Sequence, residues 1–192
     1  MVVADIALKI GAYKNVAFLD DWAKTAHLGL EVVGKTADVD KYIENSDVIV
    51  AIGNAKIRQD ITEDLIKKGA NLPILIHPSA IVSDSATIGE GSVVMAGAVI
   101  NPCVKIGKGA IINTCSSVDH GSVIGNYCHI SVGARVTGSV EIGNRVFFGA
   151  GAVVINNKSI ASDTIVGAGA VVVEDIIMKG TYVGVPARPI KK

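Results

Sequence analysis

One periodicity constrains this chain more than any other feature. From Ile76 a branched aliphatic or Phe recurs at every sixth residue, through Val94, Val118, Val136 and Phe148 to Val172, without a slip. Four residues after most of these stands a small residue, such as Ala98, Ser116, Ser122, Cys128 or Ala134, and one residue after many of them stands a glycine, such as Gly89, Gly107 or Gly125. A step of six matches neither the 3.6-residue helix nor a continuous alternating strand, but it suits a short strand and a turn, repeated. Three such units close a triangular coil of eighteen residues, in which each aliphatic stacks on its equivalent in the next coil. The pattern therefore predicts a parallel β-helix rising about 4.8 Å per coil, or roughly 25 Å for five coils. A β-sandwich would need polar turns about every 8 to 12 residues and would not hold a strict six.

A prism of this kind also accounts for an odd composition. The chain is 49% hydrophobic with 21 glycines, yet has only one Trp, four Tyr and three Phe, whereas ordinary cores lean on aromatic rings for buried area. Stacked Val and Ile fill a narrow interior that leaves little room for rings. The 18 basic and 18 acidic side chains cancel, so there is no electrostatic footprint for nucleic acid or an anionic membrane. No apolar run approaches the roughly 18 residues of a membrane span, and the N-terminus lacks a basic flank and a small-residue cleavage site; a soluble, cytoplasmic protein is expected. Cys103, Cys115 and Cys128 form neither an even framework nor a Cys-x-x-Cys pair, and are expected to act as small buried hydrophobes.

Before Ile76 the pattern changes. Asn15 to Leu19 and Asp47 to Ile52 read as buried strands, a short strand fits Leu30 to Val33, and a helix fits Asn54 to Lys68, with Asn54 as N-cap and Gly69 as stop. Alternating strand and helix imply a small parallel sheet, dividing the chain into an α/β unit over 1–75 and a β-helix with its tail over 76–192. Pro73 and Pro78 flank the passage between them. Beyond Val172 a turn of helix fits Glu174 to Lys179, and the ending GTYVGVPARPIKK suits either a solvated tail or a clamp for a phosphate-bearing ligand.

Of four histidines, His120 and His129 lie in the repeat, nine residues or half a coil apart. On one prism they face opposite ways, so they share a site only across the cleft between neighbouring subunits; otherwise they are two unrelated surface histidines. Counting by eighteen puts Gly138 one coil above His120, and puts Val132, Ala150 and Ala168 in a small-residue column beside His129 that suits a narrow ligand arm. A three-histidine zinc site between prisms, as in γ-class carbonic anhydrases, would need His77, which lies more than two coils below His120; no metal is expected. No cysteine falls beside His120 for nucleophilic catalysis.

The hexapeptide prism, the segment SSVDHGSVIGNYCHISVGARVTGSVEIGN, the ending GVPARP and the N-terminal FLDD and AIGN together resemble the sugar O- and N-acetyltransferases of the NeuD and PglD type. That resemblance implies a mainly β fold, a left-handed parallel β-helix preceded by a small Rossmann-like α/β domain, N-terminally truncated here. It implies a homotrimer in which acetyl passes from acetyl-CoA directly to the amine of a nucleotide-linked amino sugar, or alternatively to a hydroxyl of sialic acid or another sugar. The general base falls on His120 and the oxyanion-binding amide on Gly138. Acetyl-CoA contacts fall on His129, Ala150 and Ala168, and contacts to the nucleotide end of the substrate on Asp20, Asp21 and Gly53. Two departures accompany it. Gly121 stands where PglD-like members carry an acidic residue that raises the basicity of the histidine, and Asp119, on the other side, is expected to point to the opposite face. The family's first strand and glycine-rich loop precede a helix that reads like VVADIA, in which this sequence begins; a misplaced start, a truncation or a natural loss would each produce this. With both departures in place, a catalytically impaired acetyl-CoA-binding trimer is the rival from a different functional class.

Overall fold

A computed structural model of the chain describes residues 1–22 and 28–190. From Leu75 onward the backbone turns through two-residue strands, and each pairs in parallel with strands eighteen residues away: Val118 aligns with Ile100 below and Val136 above. The strands sort into three sheets, one face beginning at Leu75–Ile76, a second at Ile81–Val82 and a third at Thr87–Ile88. The result is the stacked triangular prism of a left-handed parallel β-helix.

The six-residue aliphatics line its interior. Those from Val94 to Val172 belong to one buried core, while Ile76, Val82 and Ile88, at its lower end, are partly covered. Phe148 is fully buried among them, so the interior does admit one ring. The small residues four places on are buried at the corners, where serines are fully satisfied: Ser122 Oγ donates to the Thr137 carbonyl at 2.9 Å and accepts the Val140 N–H at 3.1 Å. Most buried hydroxyls have such partners; Thr164 Oγ1, in the same kind of position, is the exception, with none among the described residues. At the upper end, Thr181–Val183 continues the first face in parallel and Arg188–Pro189 turns back antiparallel. Glu174 to Lys179 form no helix; instead Ile176 bridges Ile160, extending the third face.

The N-terminal segment folds onto the outside of this prism. Helix α1 (Val2–Ile10) buries Ile6 and Ala7 against Leu75, Val93, Met95 and Ile111, the outward-pointing side chains of the first face and a neighbour. Strands β1 (Phe18–Leu19) and β2 (Val32–Gly34) make a two-stranded parallel sheet, shorter than the apolar run from Asn15 suggests. Helix α2 (Ala55–Lys67) begins where expected: Asn54 Oδ1 accepts the Ile57 N–H at 3.1 Å, and after Lys67 the chain turns at Gly69, φ 78°, as the Ala70 N–H bonds the Leu65 carbonyl. The run from Asp47 to Ile52 does not form a strand. Val48 donates to the Asn71 carbonyl and Ile49 packs on the cluster that α1 shares with the prism, but no strand among the described residues lies alongside to complete a ladder. An apolar run becomes a strand only when its backbone groups find that partner.

The buried side of α2, Arg58, Thr62 and Leu65, faces the prism. At one prism corner Gly109 has φ +60°, and a Cβ there would lie 2.6 Å from the Tyr127 ring of the coil above. The absent side chain is what makes room for that ring. Tyr127 then donates to Glu63 Oε1 of α2 at 2.7 Å, and Lys108 pairs with the same carboxylate at 2.9 Å.

Candidate functional site

His120 follows strand Ser117–Val118 at the corner between the second and third faces, and its side chain is exposed. Its imidazole lies directly under Gly138: a Cβ at that position would sit 2.6 Å from both Cε1 and Nε2. Any other residue at 138 would displace the ring. Gly138 is buried, its carbonyl accepts the Asn157 N–H at 3.2 Å, and its own N–H bonds no acceptor among the described residues. A nitrogen base and a free backbone donor thus share one open corner. Asp119 does not reach the imidazole by any hydrogen bond; its Oδ1 accepts the His120 N–H and the Asn101 Nδ2–H, both at 2.7 Å. Those two bonds, with the nearby His120, hold its carboxyl below the usual range. Gly121 has φ +67°, and a side chain there would meet only Ser139 Oγ, at 3.5 Å. Cys115, Tyr127 and Arg145 occupy equivalent turns with similar φ, so the turn itself does not demand glycine.

His129 sits on the first face, in strand His129–Ile130, its backbone aligned with Ile111 below and Phe147 above. It meets the Phe147 ring edge-on, with centroids 5.2 Å apart. Asn113 Oδ1 accepts the Thr114 N–H at 2.8 Å, which turns its amide nitrogen toward His129 Nε2 at 2.9 Å. Nε2 is therefore the acceptor and Nδ1 carries the proton. That Nδ1 is buried and has no partner among the described residues. Burial, and secondarily the Arg58 cation, push the imidazole pKa down to about 4, so it is neutral at physiological pH.

Three residues beyond His129 begins the small column: the Gly151 N–H bonds the Val132 carbonyl and the Gly169 N–H bonds the Ala150 carbonyl, so Val132, Ala150 and Ala168 stack. All three are exposed, and the N–H groups of Ala150 and Ala168 have no acceptor among the described residues. This column runs along the corner between the first and second faces, while His120 occupies the next corner round. The two can meet only if a second prism brings its own His120 alongside.

In the N-terminal unit, Asp20 and Asp21 line a cleft with Trp22, Val32, Lys35 and Asp38. Asp21 is already engaged, accepting the Thr36 N–H at 2.9 Å and the Thr36 hydroxyl at 3.0 Å, and Asp20 Oδ1 accepts the Trp22 N–H at 2.8 Å. Gly53 is not part of that cleft. It precedes the α2 cap, and its carbonyl accepts from Arg58 at 2.9 Å. Arg58 and Asn113 escaped the sequence reading. For Arg58 the sequence held no signal, since the burial of the stripe formed by residues 58, 62 and 65 is seen only in the folded protein. Asn113 had none beyond its position on a strand end.

Comparison with known proteins identifies the group to which these features belong. Residues 1–65 match the PglD N-terminal domain, and residues 85–120 and 121–156 match the bacterial transferase hexapeptide (six repeats). The acetyltransferase domain of PglB from Neisseria gonorrhoeae, solved in complex with acetyl coenzyme A, has a TM-score of 0.96 and 41% identity, covering 98% of this chain and 93% of that one. The chain belongs to the NeuD/PglD-type sugar acetyltransferase family. Another relative in it, PerB from Caulobacter crescentus, solved with CoA and GDP-perosamine, has a TM-score of 0.92 and 40% identity, covering 99% of this chain and 91% of that one. A UDP-N-acetylbacillosamine N-acetyltransferase of Bacillus subtilis is 40% identical over 84 residues, which is 42% of this chain and 39% of that protein. The curated match therefore spans less than half of either sequence. This family member shows no group of His, Cys, Asp and Glu able to hold a metal and no helix long and apolar enough to cross a membrane among the described residues.

Proposed function

We propose that this chain is an acetyl-CoA-dependent N-acetyltransferase acting on the amine of a nucleotide-activated amino sugar, within a cytoplasmic homotrimer that serves cell-surface glycan synthesis. The observation that carries the reading is the His120–Gly138 pair, an exposed imidazole packed under a glycine whose N–H has no acceptor among the described residues. Relatives solved or named with acetyl coenzyme A, GDP-perosamine and a UDP-linked amino sugar support the substrate classes.

Acetyl-CoA supplies the acetyl thioester, and the exposed column of Val132, Ala150 and Ala168 beside His129 suits its narrow arm. His120, from the neighbouring prism across the cleft, accepts the proton as the sugar amine bonds to the thioester carbonyl carbon, a role worth about 10² to 10⁴ in rate. The Gly138 N–H donates to the carbonyl oxygen as charge gathers there. The carbon–sulfur bond then breaks, and His120 returns the proton to the departing thiolate. Asp20, Asp21 and Gly53 serve the nucleotide end, Asp21 by fixing the loop at Thr36.

The test is thiol release from acetyl-CoA against a panel of UDP- and GDP-linked amino sugars. His120→Ala is expected to lower kcat at least 10²-fold with the trimer intact. An unchanged kcat would sink the assignment of the base, and silence of the wild type across the panel would favour an acetyl-CoA-binding trimer without catalysis.

A further inference from the structure

Arg58 is an anomaly that the proposed chemistry does not use. It is 1% exposed, the largest fully buried side chain among the described residues. It sits in the first turn of α2, where the helix dipole disfavours a cation, and it forms no salt bridge among the described residues. Burying an unpaired guanidinium is costly unless each N–H finds an acceptor. Here all of its bonds go to backbone carbonyls. Nη1 donates to Ile52 at 2.8 Å and Gly53 at 2.9 Å, Nε to Gly109 at 2.7 Å, and Nη2 to Tyr127 at 2.6 Å and Cys128 at 3.4 Å.

These acceptors come from three pieces of chain. Ile52 and Gly53 belong to the AIGN loop of the N-terminal unit. Gly109 belongs to one coil of the prism, and Tyr127 and Cys128 to the next, immediately before His129. A planar fork with five donors can join three backbones in one fixed arrangement, which a single ammonium cannot.

We infer that Arg58 is a positioning residue that locks the AIGN loop at a fixed distance from the coil carrying His129, and so sets how far the nucleotide end of the acceptor lies from the acetyl donor. This rests on the acetyltransfer reading given above. A bound nucleotide helps a reaction only if its anchor is rigid relative to the reacting centre, and a displacement of about 1 Å can cost about 10²-fold. Backbone acceptors suit this task, because their positions define the loop and the coil themselves. The guanidinium stays protonated: burial lowers its pKa only to about 10.

The experiment compares two acceptors in wild type and Arg58→Lys: an amino sugar linked to UDP or GDP, and the same sugar without its nucleotide, with CoA affinity measured alongside. The ratio of kcat/KM for linked over free sugar is expected to fall at least 10-fold in the variant, while the free-sugar value and the CoA Kd change less than 2-fold. An unchanged ratio in a folded variant, or equal losses on both acceptors, would overturn the positioning role. Should the variant not fold, the side-chain Nε–H resonance of Arg58 in the wild-type protein carries the test. It is expected to shift when UDP or GDP is added, and a resonance indifferent to both overturns the inference. A wild type that acetylates neither sugar refutes the acetyltransfer reading instead, and the same resonance then tests the link by itself.

Discussion

The prism and the unit before it obtain their order in different ways. In the prism each residue's neighbours are fixed by counting: Val118 meets Ile100 and Val136 because they stand eighteen residues away. The N-terminal unit has no such rule. Its helices are ordered by what they dock on, α1 on Leu75, Val93 and Ile111, and α2 on the corner at Gly109 and Tyr127. Local repetition makes a structure that tolerates change outside itself, whereas docking makes one that depends on its host. Damage should therefore travel from the prism to the N-terminal unit, and not in reverse.

The strongest way to test that asymmetry is to place a charge inside the prism. Ile130 is fully buried between Ile112 and Phe148. A carboxylate there has no donor, and Ile130→Asp is expected to cost at least about 4 kcal/mol. Circular dichroism and denaturant unfolding should show both regions lost together, α1 and α2 included. Survival of helical signal after collapse of the prism would break the proposed dependence.

A smaller effect tests the boundary itself, where His129 is enclosed at the seam. An unfolded histidine takes up a proton near pH 6.5, whereas the folded one, held neutral by burial and by Arg58, does so near pH 4. Between these values the unfolded state binds more protons, so stability falls as pH drops through that window. The shift corresponds to an order of magnitude of 3 kcal/mol. Urea unfolding at pH 7.5 and pH 4.5 should show a steeper acid loss for wild type than for His129→Gln. Parallel losses would mean that the imidazole is not sealed.

The same contrast explains what could be read in advance. The step of six gave the prism, its coil length, the stacking of Gly138 over His120 and the column at Ala150 and Ala168, because each is a count along one chain. It placed Phe148 inside as well, but not the room for its ring, since ring tolerance depends on the side chains around it. The strand expected over Asp47 to Ile52 failed because a ladder needs a partner, which no local pattern encodes. Arg58 was hidden for a related reason. A charged residue in a helix reads as solvated unless its acceptors are known, and those at Gly109 and Tyr127 lie 51 and 69 residues away. Two candidate residues, Asp21 and Gly53, follow from the resemblance, but only the fold shows that one ties down Thr36 and the other is gripped by Arg58.

The mildest perturbation should stay local. Asn54 caps α2 by accepting the Ile57 N–H, and loss of such a cap costs about 1 kcal/mol. If the helix depends on the prism and the prism does not depend on the helix, Asn54→Ala should weaken native-state hydrogen-exchange protection at the amides of α2 by about fivefold. Amides at Val118, Ile124 and Val136, whose ladders run only within the prism, should be unchanged. Equal loss at those positions would show that the helix helps to hold the coils, and the direction of dependence would have to be reversed.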